Sequence, residues 1–365
     1  MNRTVALRLL GEIMNWDDLT AGEEYQWLGF MAKLKYDGYR DFVAGARFLE
    51  SLAGWLRQFA PEDRSAAYAL MKDTLVYFGP IEIRRLVESF YPDIVFPWAV
   101  SEVARRKGIP DWLVSTQQPD ELKKFLRQTL FVALSEGAHT DAMRHATPSL
   151  SNEQIIVSHQ VDDEKWAGLV KDLREDTKDP NALFARAYLV DDFTASGTTL
   201  IRREANGDWK GKIPKFLERV AMAESRSSIF EEGWTLGVHH YISTAQADAA
   251  SNRLVADCRD AGKIQMPDVL DMSYGYLLPS TTKHDVEAEP LKTLIYKYYD
   301  KAIETRHNTA GGGSTAINAG YKDCALTVVL DHNTPNNSLP ILWAESEGTL
   351  GHAMRPLFRR RQRHT

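Results

Sequence analysis

With 365 residues, 44% of them hydrophobic and 26% charged, the chain can bury a sizeable core and lacks the composition of a disordered protein. A formal charge of −6 argues against wholesale coating of nucleic acid, and the two cysteines, Cys258 and Cys324, give neither a disulfide framework nor a CxxC zinc site. No apolar run approaches the roughly 20 residues that span a bilayer, and Met1-Asn2-Arg3-Thr4 lacks a secretory core and cleavage site, so a cytoplasmic protein without membrane contact is expected.

From about Leu7 to Leu130 the apolar residues recur at three- and four-residue spacing, as in Ala44-Phe48-Leu52-Trp55-Leu56 and Ile83-Leu86-Phe90. Breaks are predicted at Asp37-Gly38, Pro61-Glu62-Asp63, Gly79-Pro80, Pro92-Asp93 and Gly108-Ile109-Pro110. A helical N-terminal domain over residues 1–128 follows from this pattern. Beyond Thr129, short apolar runs alternate with helical stretches: Leu130 to Leu134, Ile155 to Val157, Ala187 to Val190, Leu236 to Ile242 and Leu326 to Leu330. Strands separated by helices predict an α/β domain over 129–350 with a mostly parallel sheet. Gly275 to Pro290 and Asn308 to Ser314 read as irregular, and 351–365 as a basic tail rich in arginine from Arg359 to Arg363. That tail suits nucleic acid, substrate phosphates or plain solvent.

The most informative segment runs from Ala187-Tyr188-Leu189-Val190 through Asp191-Asp192-Phe193 into Thr194-Ala195-Ser196-Gly197-Thr198-Thr199. It reads as a strand, a small hydroxyl-rich loop and a helix start. Helix N-termini present unpaired N–H groups and a positive dipole end, Gly197 lets the backbone approach a ligand, and the hydroxyls add donors, a set that suits a phosphate monoester. Two carboxylates beside such a loop are placed to accept hydrogen bonds from vicinal hydroxyls of an attached sugar. A plain helix cap in an α/β protein is the alternative.

This pattern resembles the phosphoribosyl-pyrophosphate motif of type I phosphoribosyltransferases. The resemblance implies that Asp191 and Asp192 hold the ribose 2′ and 3′ hydroxyls, that Thr194, Ala195, Ser196, Gly197, Thr198 and Thr199 wrap the 5′-phosphate, and that Mg²⁺ accompanies the diphosphate, near Asp191 and Asp192 and through water. No counterpart of the base-binding hood of housekeeping members is recognisable, which leaves the base open.

Leu134 to His145 follows a predicted strand with another glycine-containing turn, so Gly137 and Arg144 are candidates for a diphosphate loop; Asp141 and His145 also fit an ordinary i, i+4 helix contact. Leu330 to Trp343 follows a further strand, and its polar turn offers His332 as an acid or base and Asn333, with Asn336 and Asn337, as base or water contacts, the alternative being a stiff Asx turn. His239 and His240 point to opposite faces of a strand, cannot readily share one metal, and read as one core and one surface residue.

The His332-Asn333-Thr334-Pro335-Asn336-Asn337 stretch, with Pro356-Leu357-Phe358-Arg359 near the end, resembles a conflict-system subgroup of phosphoribosyltransferase-like proteins that includes effectors of retron anti-phage modules. That resemblance implies an effector acting at the anomeric carbon of phosphoribosyl pyrophosphate, a nucleotide or a nicotinamide dinucleotide. It also implies a reverse transcriptase–nucleic acid complex or a small DNA-binding regulatory protein as inhibitor. A silent sensor of a phosphoribosyl ligand that binds such a partner is the alternative. No GxxxxGK[ST], HExxH, GxSxG or GxGxxG pattern occurs in its proper context.

Overall fold

The computed structural model describes residues 3–42, 47–147, 149–158, 162–305 and 316–360. Its contacts divide the chain into two compact units: a first unit of Met1–Glu82 with Ser280–Thr365, and a sheet unit of Ile83–Pro279. This differs from the boundaries expected at 128 and 350. Residues 83–128 group with the sheet, and the segment from Ser280 onward groups with the N-terminal helices, because each supplies core that the other part of its unit lacks.

Helices α1 (Arg3–Met14), α2 (Asp18–Leu34), α3 (Phe48–Leu56) and α4 (Pro61–Thr74) follow the predicted periodicity. Asp17 caps α2 by accepting the Thr20 N–H at 2.8 Å, and Pro61 opens α4, where no N–H is needed. Next come β1 (Val76–Phe78), α5 (Pro80–Phe90) and α6 (Phe96–Lys107), joined by a wide helical turn, Tyr91–Val95, that carries the path across Pro92 where a break was expected. Helices α7 (Asp111–Gln117) and α8 (Pro119–Arg127) complete the helical part.

Then follow β2 (Thr129–Ala133), α9 (Thr140–Ala146), β3 (Ile155–Val157), α10 (Asp163–Thr177), β4 (Phe184–Thr194), a short hairpin of β5 (Arg202–Arg203) and β6 (Trp209–Lys210), α11 (Lys212–Glu224), β7 (Phe230–Thr244), α12 (Ala245–Ala261) and β8 (Leu270–Leu278). The last elements are α13 (Leu291–Lys297), β9 (Val328–Leu330) and α14 (Pro340–Trp343).

Five parallel strands form the main sheet in the order β3-β2-β4-β7-β8. Strands β2 and β4 are buried on both faces, which explains their continuous apolar runs. Strand β8 was hidden in the sequence: it is a half-exposed edge that passes through Gly275, so the region read as irregular from Gly275 starts only after Leu278. The run at Leu326 to Leu330 does not join this sheet; β9 pairs in parallel with β1, Val76 opposite Val328. His239 and His240 do lie on opposite faces, but both are buried, because a doubly covered sheet has no surface face: the His239 ring stacks on Phe90 at 4.2 Å between centroids.

In the first unit Phe358 is fully buried among the rings of Tyr36, Tyr39, Phe42, Phe48 and Tyr77. The Trp55 indole N–H donates to the Ile341 carbonyl at 2.7 Å. Within the segment expected to be a tail from 351, Met354, Leu357 and Phe358 are therefore buried core. Residues 361–365, the 308–314 loop and Ala44 lie outside the described residues. Among the described residues no helix is long and apolar enough to cross a membrane.

Candidate functional site

Strand β2 comes first among the strands of the main sheet but lies between β3 and β4, so the connections leave in opposite directions on either side of the β2–β4 pair. Such a switch point opens a crevice at the carboxyl ends of the two strands, the usual ligand position in open parallel sheets. Both candidate loops from the sequence emerge there: Leu134 to His139 after β2, and Ala195 to Thr199 after β4.

The first loop is bound tightly to the sheet. The Leu134 N–H donates to the Val190 carbonyl at 2.9 Å, the Gly137 N–H to Ser135 Oγ at 3.1 Å, and the Tyr241 hydroxyl to the Ala138 carbonyl at 2.9 Å. At Gly137 any Cβ would run into the Asp192 carboxylate, so only glycine permits the two loops to approach this closely.

The two acids differ. Asp191 is 3% exposed; its Oδ1 accepts the Ser135 hydroxyl at 2.5 Å and its Oδ2 is ion-paired with the Lys212 ammonium. Burial pushes its carboxyl above the ordinary value against the pull of Lys212, and neighbouring Asp192 adds to the rise. Asp192 is only half-buried. Burial likewise raises the Tyr241 hydroxyl, with Asp192 and Asp191 contributing.

The loop after β4 is built as the sequence suggested, except at its end. Gly197 adopts φ +73° and packs so closely on α12 that a Cβ would lie 2.7 Å from Ser251 Oγ. The Thr244 hydroxyl donates to the Ala195 carbonyl at 2.7 Å, and the Ser196 and Thr198 hydroxyls are 2.9 Å apart. Thr194 and Ser196 are buried, Thr198 half-buried and Thr199 exposed. The expected helix start after Thr199 is absent: Leu200 and Ile201 are buried, and the β5–β6 hairpin intervenes before α11 begins at Lys212. Helix α11 returns to the loop, its Lys212 and Ile213 N–H groups donating to the Thr199 and Leu200 carbonyls at 3.1 and 3.0 Å.

Two residues of this site escaped the sequence reading. Lys212 carries the ammonium at Asp191, and His240 lies opposite Asp191 in the β4–β7 register. His240 is 2% exposed, and its Nδ1 makes no hydrogen bond among the described residues. Burial lowers its pKa to about 3, with Lys212 lowering it further and Asp192 opposing, so it is a neutral imidazole. The one legible signal for Lys212 was its place directly before the apolar periodicity of Ile213 to Leu217.

Arg144 is engaged beside β3. Its guanidinium donates to the Ile155 carbonyl at 2.8 Å and pairs with Asp141 at 3.2 Å, lining a cleft of about 510 Å³ beside β3 with Glu153 and Lys165. The contact expected between Asp141 and His145 is thus made with Arg144. His332 and Asn333 belong to the first unit, in the turn after β9. His332 Nδ1 lies 2.9 Å from Asp331 Oδ1, and the fully buried Asp331 is also ion-paired with Arg40 at 3.0 Å. The Asn333 N–H donates back to Leu330 at 3.1 Å, and its Oδ1 is buried without a hydrogen bond among the described residues. Asn337 is structural, donating to the Tyr321 carbonyl at 3.1 Å.

Among the described residues no group of three or more His, Cys, Asp or Glu is arranged to hold a metal. Both Asp191 oxygens are engaged by the protein. The residues therefore fit Mg²⁺ in the way that ion usually binds at phosphate sites, through one carboxylate, here Asp192, with water and ligand oxygens completing the shell.

A family model described as PRTase-CE matches residues 52–360, a span that contains the switch-point crevice and the turn after β9. No curated protein and no solved structure matches the chain.

Proposed function

Because the chain belongs to the PRTase-CE family of phosphoribosyltransferase-like conflict-system effectors, we propose that it acts at the anomeric carbon of a 5-phosphoribosyl substrate bound in the switch-point crevice. The observation that carries this reading is the meeting of an acid pair and a hydroxyl- and glycine-rich loop at the carboxyl end of β4, against the Ser135–Gly137 turn.

The loop from Thr194 to Thr199 takes the 5′-phosphate with its hydroxyls and backbone N–H groups. The acids face the ribose. In the reaction the bond from C1 to the leaving group breaks with its electron pair departing on the leaving group, a nucleophile bonds to C1, and its proton is lost. Positive charge develops on the ring, and preorganised carboxylates in a poorly hydrated site stabilise it. Mg²⁺, when bound, would neutralise a departing diphosphate. His332 and Asn333 lie in the first unit, where His332 Nδ1 is 2.9 Å from Asp331 Oδ1, and this reading assigns them no step in the crevice.

The proposed setting is an anti-phage module of retron type, with a reverse transcriptase–nucleic acid complex or a small DNA-binding protein as inhibitor. The test is mass spectrometry of products after incubation with Mg²⁺ and phosphoribosyl pyrophosphate, nucleotides or nicotinamide dinucleotide. Product that disappears in Asp191→Asn/Asp192→Asn supports the enzyme. Saturable binding without product, by folded protein free of partners, replaces it with a ligand sensor.

A further inference from the structure

A group of charges that the crevice chemistry leaves unused lies in the first unit, ahead of residue 52, where the family match begins. A cleft of about 200 Å³ opens there between α1, α2 and the start of α3. Its walls include the small residues Ala6, Gly29 and Ala32, and three cations line it: Arg3 from α1, Lys33 from α2 and Arg47 directly before α3. Two of these side chains are placed by backbone. A Cβ on Gly29 would run into the Arg3 guanidinium, so glycine lets that group lie against α2. Arg47 Nη1 donates to the Asp37 carbonyl at 3.0 Å. None of the three cations makes an ion pair among the described residues. Two acids also line the cleft without answering them: Asp37 Oδ1 accepts the Phe48 N–H at the start of α3, at 3.1 Å, and Glu50 pairs with none of the three.

Like charges gathered without counter-ions repel one another, and an anion between them removes that cost. Sites that enclose a whole small molecule measure roughly 300 to 1,000 Å³, so a smaller cleft takes a single group of its ligand. Guanidinium forks and an ammonium suit a phosphate, whose three terminal oxygens can each meet a cation, better than a carboxylate with two. We propose that this cleft binds the phosphate of a phosphate monoester, held by Arg3, Lys33 and Arg47, as a site of the first unit additional to the switch-point crevice. The two arginines supply forked donors and Lys33 a point charge, while Glu50 opposes the anion and limits its affinity.

The experiment is an NMR titration of the full chain, labelled with ¹³C at its alanine methyl groups, with inorganic phosphate as the probe and chloride at equal ionic strength as the control. Ala6 and Ala32 report the cleft, and Ala195 reports the 194–199 loop in the same spectra, so this proposal and the phosphoribosyl reading are tested separately. Saturable shifts of Ala6 and Ala32 with phosphate, and none with chloride, are expected. Arg3→Gln/Lys33→Gln changes two exposed side chains and should weaken this response by about ten- to hundredfold, leaving that of Ala195 as it was. Glu50→Gln removes the opposing charge and should tighten it about threefold. Cleft methyl groups that do not respond, or that respond equally to chloride or in the double variant, overturn the proposal. One short oligonucleotide in 5′-phosphorylated and 5′-hydroxyl forms then identifies the carrier. A response to the phosphorylated form at lower concentration than to inorganic phosphate assigns the site to a strand end, and the reverse order assigns it to a small phosphorylated molecule.

Discussion

Two buried aspartates, Asp191 in the sheet unit and Asp331 in the first unit, have a similar local recipe: each lies toward the carboxyl end of a strand, and each is held by a cation and a second side chain. Their surroundings differ. Asp331 sits in a turn that closes on itself, with the Leu330 N–H donating to Asn333 and the Arg40 N–H to the Asp331 carbonyl, so its contacts tie chain segments together. Asp191 sits where two loops leave a parallel sheet in opposite directions, beside a half-buried acid and an imidazole nitrogen without a hydrogen bond among the described residues. A buried, paired carboxylate is therefore weak grounds for a site on its own; the topology around it and the polar atoms left to a ligand decide.

The largest expected effect separates the two cations. Lys212 is largely enclosed with Asp191, so Lys212→Met should cost about 3 kcal/mol, because a buried charge loses its partner. The Arg40 side chain is 60% exposed and His332 still serves Asp331, so Arg40→Met should cost less than about 1 kcal/mol. Urea unfolding of both variants checks this, and equal losses would erase the distinction drawn here.

A second contrast is pH dependence, which the sheet unit should show through its histidines. His239 and His240 are both lowered to about 3 from an ordinary 6.5, chiefly by burial. Between those values the unfolded chain binds protons that the folded chain refuses, so the stabilisation is complete above pH 6.5 and is lost progressively as pH falls toward 3. At pH 5 each histidine should cost about 2 kcal/mol relative to pH 7. His239→Phe, which keeps the stack on Phe90, should remove one such contribution; comparing wild type and variant at pH 7 and 5 isolates it from Asp191, whose raised carboxyl acts in the opposite sense.

Smaller still is Gly197→Ala. A Cβ at φ +73° costs about 1 to 2 kcal/mol and would also press on Ser251. Thermal unfolding reports the loss, and an unchanged midpoint would mean that the loop shifts freely, contrary to its packing on α12.

The sequence made the centre of the site legible and its periphery obscure, for physical reasons. Asp191 to Thr199 is contiguous, and four of the five main strands are apolar enough to stand out. Lys212 is separated from that segment by the β5–β6 hairpin, and only the return of α11 to Thr199 brings it back. His240 looked like half of an alternating pair, because strand alternation says which way a side chain points but not whether something covers it. Strand β8 was missed because an edge strand carrying Gly275 lacks the apolar run of a central one, and β1 because it spans only Val76–Phe78. Phe358 was masked by the arginines after it, although it is the hub of the first unit's aromatic core.

The central claim, that a 5-phosphoribosyl group is held between the 194–199 loop and the Asp191–Asp192 pair, is tested most directly by a crystal structure of the chain with ribose 5-phosphate. Phosphate against the Thr194 to Thr199 loop, with ribose hydroxyls toward the Asp191–Asp192 pair, is the predicted result. Ligand seated instead in the cleft beside Arg144 and Lys165, with the switch-point crevice unchanged, would contradict it.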